Sequence, residues 1–278
     1  MNILEFSSLV FLGSLLAGFL GSATGLGGGV VIVPLLVLGF GVDIRYAMGA
    51  SLVSVIATSS AAASAYVKEG FSNIRVGMFL EIATTAGAVA GAAVATSIAP
   101  SAIAVVFGLV LLYSAYQSGF SRHKDSAPGG PDNLATRLRM NSEYPTPEGP
   151  KSYYVRAVPG GFGIMFIAGA LSGLLGIGSG ALKVIAMDQV MRLPFKVSTT
   201  TSNFMIGVTA AASAGVFLNR GYVDPGLAMP VMLGVLFGSL AGTHFLLRVS
   251  TRVLRIVFAA VILVLAIEML YKGLAGGF

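Results

Sequence analysis

The chain has no cysteine, two histidines and few charges. Without cysteine, disulfides and thiolate metal sites are excluded, and the redox compartment is left open. With so few histidines and no thiol, a catalytic metal centre is not expected. Charged residues occupy 10% of the 278 positions and hydrophobic ones 55%, whereas a soluble domain carries about 25% charged residues. Mean hydropathy is +0.88. This is the composition of an integral membrane protein. The apolar runs lack the two-residue alternation of a membrane barrel, which leaves helices. There is no HExxH, phosphate-binding loop or catalytic-triad arrangement, so neither an enzyme nor a cofactor is expected. The opening residues, MNILEF, carry Glu5 and no basic stretch, so a cleaved signal peptide is not expected. The net charge of +6 is no nucleic-acid signal, because the basic residues gather in loops on one predicted side.

What is present is a repeat. Laid over itself at a spacing of 151 residues, GLGGGVVIVP (Gly25 to Pro34) falls on GIGSGALKVI (Gly176 to Ile185). The same register pairs Ala17 with Ala168, Gly18 with Gly169, Ser51 with Ser202, Thr58 with Thr209, Gly70 with Gly221, Gly87 with Gly238 and Gly91 with Gly242. Five apolar segments are expected in each half, near 6–22, 27–41, 47–67, 74–97 and 101–120, then 159–175, 178–191, 198–219, 225–247 and 252–272. The predicted organisation is an N-terminal repeat (1–120), a polar cytoplasmic linker (121–157) and a C-terminal repeat (158–278). The linker, rich in Pro and Gly (PGGPD, YPTPEGP), is expected to bury no apolar surface and to hold one short helix around Asn133 to Met140. The first two segments of each half are short for a ~30 Å hydrocarbon layer. A re-entrant helix–glycine–helix hairpin and two full crossings both satisfy the pattern.

With the linker in the cytoplasm, the basic residues fall inside except Arg45, Arg220, Lys272 and the intramembrane Lys183. This positive-inside bias puts both termini outside and the halves in opposite orientations. The expected fold is therefore an all-α polytopic membrane protein of two inverted repeats, each of about five helical segments, with broken or re-entrant glycine-rich helices in its first hairpin.

Paired helix-breaking glycines in two halves of a membrane chain point to a transporter's binding site. Each break ends where a helix begins, so free N–H groups and the positive helix end would face an anion. Tight helix packing is the competing role for these glycines. Hydroxyl-rich runs follow each break. Ser51, Ser54 and Thr58 share one helix face, and Thr199, Ser202, Asn203 and Thr209 form a comparable one; bonding back to the helix carbonyls is the alternative. Lys183, whose repeat partner is Ile32, is an ionisable group within an apolar run and a functional candidate on that ground. It could attract the anion, snorkel, or pair with Asp188, although the five-residue offset is poor on one helix. Glu81 is a candidate for ion coupling unless it lies at a hydrated edge.

GLLGIGSGALKVIAMDQVMRLPFKVSTTTSNFMIGVTAA (Gly173 to Ala211) closely resembles the second-repeat signature of the sulfite exporter TauE/SafE family, also called toluene sulfonate uptake permeases. GSATGLGGGVVIVPLLVLGFG (Gly21 to Gly41) resembles its first. The sequence departs from the family pattern at Ser179, usually glycine, and at Ile185, usually proline. The resemblance implies a carrier in the cytoplasmic (inner) membrane of a bacterium or archaeon for sulfur-containing anions: sulfite, thiosulfate, or organosulfonates such as sulfoacetate. The expected mechanism is secondary transport by alternating access through a midplane site. Its expected substrate-binding residues are Thr24, Gly25, Gly27, Gly28, Gly29, Ser51, Ser54, Gly176, Gly178, Ser179, Gly180, Lys183, Ser202 and Asn203. H+ and Na+ are the candidate coupling ions, and a homodimer is a candidate assembly. The rival readings are an anion channel and a non-transporting assembly or sensing component.

Overall fold

All ten apolar segments are helical in the computed structural model, which describes residues 2–24, 29–68, 70–120, 132–146, 149–178, 180–246 and 251–276. The first half comprises α1 (Ile3–Thr24), α2 (Gly29–Pro34) running into a π-helical turn (Leu35–Gly39), α3 (Ile44–Lys68), α4 (Ile74–Ala95) and α5 (Pro100–Phe120). Between the halves lie α6 (Asn133–Arg137) and the strands β1 (Ser142–Thr146) and β2 (Gly149–Tyr153). The second half comprises α7 (Val158–Leu175), α8 (Gly180–Ile185) with its π turn (Ala186–Val190), α9 (Phe195–Asn219), α10 (Pro225–Leu246) and α11 (Thr251–Leu274). Among the described residues, Ile74–Ala95, Val158–Leu175 and Phe195–Asn219 are long and apolar enough to cross a membrane.

Local chemistry sets the boundaries. Asn73 caps α4 by accepting a hydrogen bond from the Val76 N–H, the role a short polar side chain plays at a helix start. Gly176 ends α7 in the left-handed region at φ 67° and returns its N–H to the Ser172 carbonyl, as a glycine cap does. The π turns begin at equivalent residues, Pro34 and Ile185. Val42 N–H reaches Leu36 O at 3.1 Å, and Leu193 N–H reaches Met187 O at 2.9 Å. Because the turn forms at Ile185 as well, the proline does not cause it.

The second segment of each half is the shortest. At 1.5 Å per residue, the 22 residues of α1 and 18 of α7 give about 33 and 27 Å. α7 is long and apolar enough to cross, whereas α1 reaches its length only by continuing through polar GSAT beyond an apolar stretch, Leu4–Phe19, that is short as expected. The six residues of α2 plus five of its π turn give only about 17 Å.

The helix pairings are unchanged when the halves are exchanged. α1 packs on α10 and α4 on α7; α3 packs on α9 and α5 on α11; α3 meets α10 as α4 meets α9. Glycines carry the closest approaches. A Cβ on Gly18 would lie 2.4 Å from Val235 O and one on Gly169 2.1 Å from Thr84 O; one on Gly87 would lie 2.1 Å from Phe166 O and one on Gly238 2.0 Å from Leu15 O. These four glycines serve close helix packing.

The central stretch differs from expectation. The short helix is there, but an antiparallel hairpin follows it, with Ser142 opposite Tyr153, so the chain is not wholly α. Ala135, Met140, Tyr153 and Val155 are buried against Val76, Leu80 and Met165. Asn73 Nδ2 donates to Met140 O and to Tyr153 Oη, both at 2.8 Å, and Arg156 N–H reaches Met191 O. Burial pushes the Tyr153 phenol above its ordinary pKa, against the opposing pull of its hydrogen bonds with Asn73 and Ser142. Composition misleads here because the few apolar residues are scattered along the chain and meet only once the hairpin folds.

Candidate functional site

The second glycine break reaches across to the first half. Ser51, on α3, donates its hydroxyl to Gly176 O at 2.8 Å and lies 3.5 Å from Gly29 O. Its repeat partner Ser202, on α9, donates to Gly180 O at 3.2 Å. Each serine thus holds the first residue of the short helix in its own half, and Ser51 also holds the opposite break. A Cβ on Gly29 would fall 2.8 Å from Ser51 Oγ, 2.9 Å from Val55 Cγ2 and 3.4 Å from Ile177 Cα. Gly178 adopts φ 74°, where a side chain is strained, and a Cβ there would meet Ile206 at 2.9 Å and Val55 at 3.2 Å. Gly180 is closed to a Cβ by Ile206 at 2.8 Å. Backbone conformation requires glycine at Gly178, whereas at Gly29 and Gly180 a Cβ would push the Ser51, Val55 and Ile206 side chains aside.

Gly25, Gly27, Gly28 and Ser179 lie outside the described residues, as does the side chain of Thr24. Ser54 donates to Ser51 O at 2.7 Å within its own helix, and Thr58 to Ser54 O at 3.0 Å. For these two the back-bonded alternative holds. Asn203 follows Ser202 and is half-buried.

Lys183 is fully buried one turn into α8. Its Nζ donates to Thr209 Oγ1 on α9. Thr209 Oγ1 donates to Glu81 Oε1 on α4 at 2.6 Å or to its own helix at Met205 O, 3.0 Å away. Lys183 Nζ and Glu81 Oε2 are 3.9 Å apart. Thr85, one turn beyond Glu81, donates to Oε1 at 3.2 Å, while Oε2 is buried without a hydrogen bond. Glu81 is only 8% exposed, so it does not sit at a hydrated edge.

A buried ion needs a partner of opposite charge and further hydrogen bonds. Lys183 finds its partner across the halves, in Glu81, joined by a hydroxyl. From sequence, Thr209 stands only in a row of α9 hydroxyls and Thr85 is not singled out. The signal for Thr209 was present: two opposite charges inside apolar segments, each facing an apolar repeat partner (Ile32 and Met232), need a polar bridge. Thr85 follows from helical spacing, four residues after Glu81.

The sequence model of the sulfite exporter TauE/SafE family matches residues 10–269. The chain belongs to the sulfite exporter TauE/SafE family. This TauE/SafE chain is 29% identical to the "Probable membrane transporter protein YunE" of Bacillus subtilis, over 98% of its own length and 99% of that protein's. It is 26% identical to YdhB of the same organism, covering 85% and 87% of the two chains. The archaeal MJ0441 of Methanocaldococcus jannaschii is 25% identical over 96% and 98%. YdhB and MJ0441 are likewise named probable membrane transporter proteins. No solved structure matches the chain. As a TauE/SafE protein, it is a member of a membrane transporter family.

Proposed function

We propose that this chain is a secondary transporter of small sulfur-containing anions, such as sulfite, thiosulfate or an organosulfonate like sulfoacetate. It works by alternating access through a site between two inverted repeats. The observation that carries the reading is the meeting of Gly29 and Ile177 beside Ser51, where the start of α2 comes against the glycine break that precedes α8. The N–H groups there are neutral donors for an oxyanion that must bind and leave, and the Ser51 and Ser202 hydroxyls would join them on letting go of Gly176 O and Gly180 O. Lys183, one turn into α8, supplies the positive charge. The exchange-symmetric helix pairing supports two repeats that rock against each other, and the ~17 Å second segments support re-entrant hairpins. Basic-residue bias supports the inner membrane, with the central hairpin in the cytoplasm and both termini outside. H+ or Na+ would supply the driving gradient.

The test is flux in proteoliposomes with labelled sulfite, thiosulfate and sulfoacetate. Saturable uptake with counterflow is expected of a carrier. Absence of flux for the whole panel would overturn the proposal, and non-saturating flux would favour a channel.

A further inference from the structure

Lys183, Thr209 and Glu81 break the internal symmetry of the molecule. Thr209 has a threonine counterpart in Thr58, but Lys183 faces Ile32 and Glu81 faces Met232 in the register. The hydroxyl is duplicated and the charges are not. Among the described residues Thr58 bonds within its own helix, to Ser54 O and Val55 O, whereas Thr209 joins α4, α8 and α9 through two charged groups.

We propose that Glu81 is an internal ligand that competes with the transported anion for Lys183, so that one proton and one monoanion move together. This rests on the transport reading above. In the empty site, the Lys183 ammonium and the Glu81 carboxylate sum to zero charge. An incoming anion takes the place of the carboxylate at Lys183 and Thr209, and Glu81 takes up a proton from the same side. Among the described residues its Oε2 has no hydrogen-bond partner to give up. The loaded site holds ammonium, anion and neutral carboxyl, and again sums to zero. After the site opens to the other side, the anion and proton leave and the carboxylate returns to Lys183. Only states without net charge then need to cross the apolar interior, where an unpaired charge is costly.

Charge counting also sets the substrate class. A simple monosulfonate or hydrogen sulfite, with one negative charge, leaves the loaded site neutral. Sulfate, thiosulfate or sulfoacetate, whose carboxylate adds a second charge, leaves a buried negative charge. The site therefore selects monoanions and narrows the proposed substrates to hydrogen sulfite and monosulfonates.

The groups facing Glu81 leave Lys183 as its charged partner. α7, packed on α4, has no titratable residue between Val158 and Leu175. α9 has only Lys196, which is exposed and thirteen residues before Thr209, about 20 Å along the axis. On α4 itself Arg75 is exposed and donates to Arg139 O. The hairpin contributes Arg139 and Tyr153 at the Asn73 end of α4. Asp188 lies five residues beyond Lys183 in the half-buried π turn.

The test uses the wild-type protein in proteoliposomes with a fixed-charge sulfonate. Acidifying one side should drive the sulfonate to the other, with a matching proton flux. A potassium–valinomycin potential should drive none, and thiosulfate should move far more slowly. Glu81→Gln should lose pH-driven net uptake, since its empty site retains an unpaired ammonium. Uptake driven by the potential, thiosulfate carried as fast as the sulfonate, or Glu81→Gln with the wild-type pH dependence would each overturn the inference while leaving the transporter intact. If Glu81→Gln fails to fold, the wild-type measurements decide alone. No flux of any anion would remove the transport reading and this inference with it.

Discussion

Ser51 Oγ donates to the Gly176 carbonyl at 2.8 Å, so a hydroxyl of the first half holds the glycine break of the second. The repeat partner of Ser51, Ser202, bonds Gly180 O within its own half. The contact makes the position of one break depend on the other half, as the proposed alternating access requires.

Ser51→Ala should weaken anion binding more than it weakens the fold. It leaves Gly176 O without its partner, at a cost of about 1–3 kcal/mol for a buried acceptor. The expected outcome is a raised KM for sulfonate or sulfite flux with protein still recovered from detergent. An unchanged KM would show that this hydroxyl plays no part in the site.

Lys183→Met should abolish anion flux and also destabilise the protein, because it strands the Glu81 carboxylate in a buried place. Breaking a buried ion pair on one side costs about 3–5 kcal/mol. Lys183→Met combined with Glu81→Gln should recover most of the thermal stability and none of the transport. Melting curves of both variants, beside flux, separate the structural role of the pair from its role in the site.

The packing glycines should divide sharply by position. Gly169→Ala and Gly87→Ala place a Cβ 2.1 Å from backbone oxygens of the facing helix, so α4 and α7 must move apart and folded yield should fall. Gly215→Ala on α9 meets nothing within 4 Å and should be neutral or stabilising by up to about 1 kcal/mol. Equal melting temperatures for Gly169→Ala and wild type would refute the close-packing account.

Asn73→Ala should loosen the central hairpin. It removes the α4 cap, worth about 0.5–2 kcal/mol, together with both hydrogen bonds to Met140 and Tyr153. Proteolysis between β1 and β2 should quicken in this variant and much less in Tyr153→Phe, which loses only one of those bonds.

The ten apolar helices, the register between halves and the second glycine break are determined by the sequence alone. Helix formation in an apolar phase depends on nearest neighbours, and hydropathy with glycine placement reports on these directly. Ser51, Ser202 and Lys183 could be named for the same reason, since each stands out from its own segment. The fold decided which groups meet. Glu81 and Thr209 lie in different halves, and no local pattern ties Glu81 to Lys183; Asp188, near in sequence, was an alternative partner at a poor five-residue offset. The scattered Ala135, Met140, Tyr153 and Val155 form a buried face only because the hairpin brings them against α4. Pairing and burial are long-range, set by packing three helices and a hairpin together, whereas periodicity and breaks are written residue by residue.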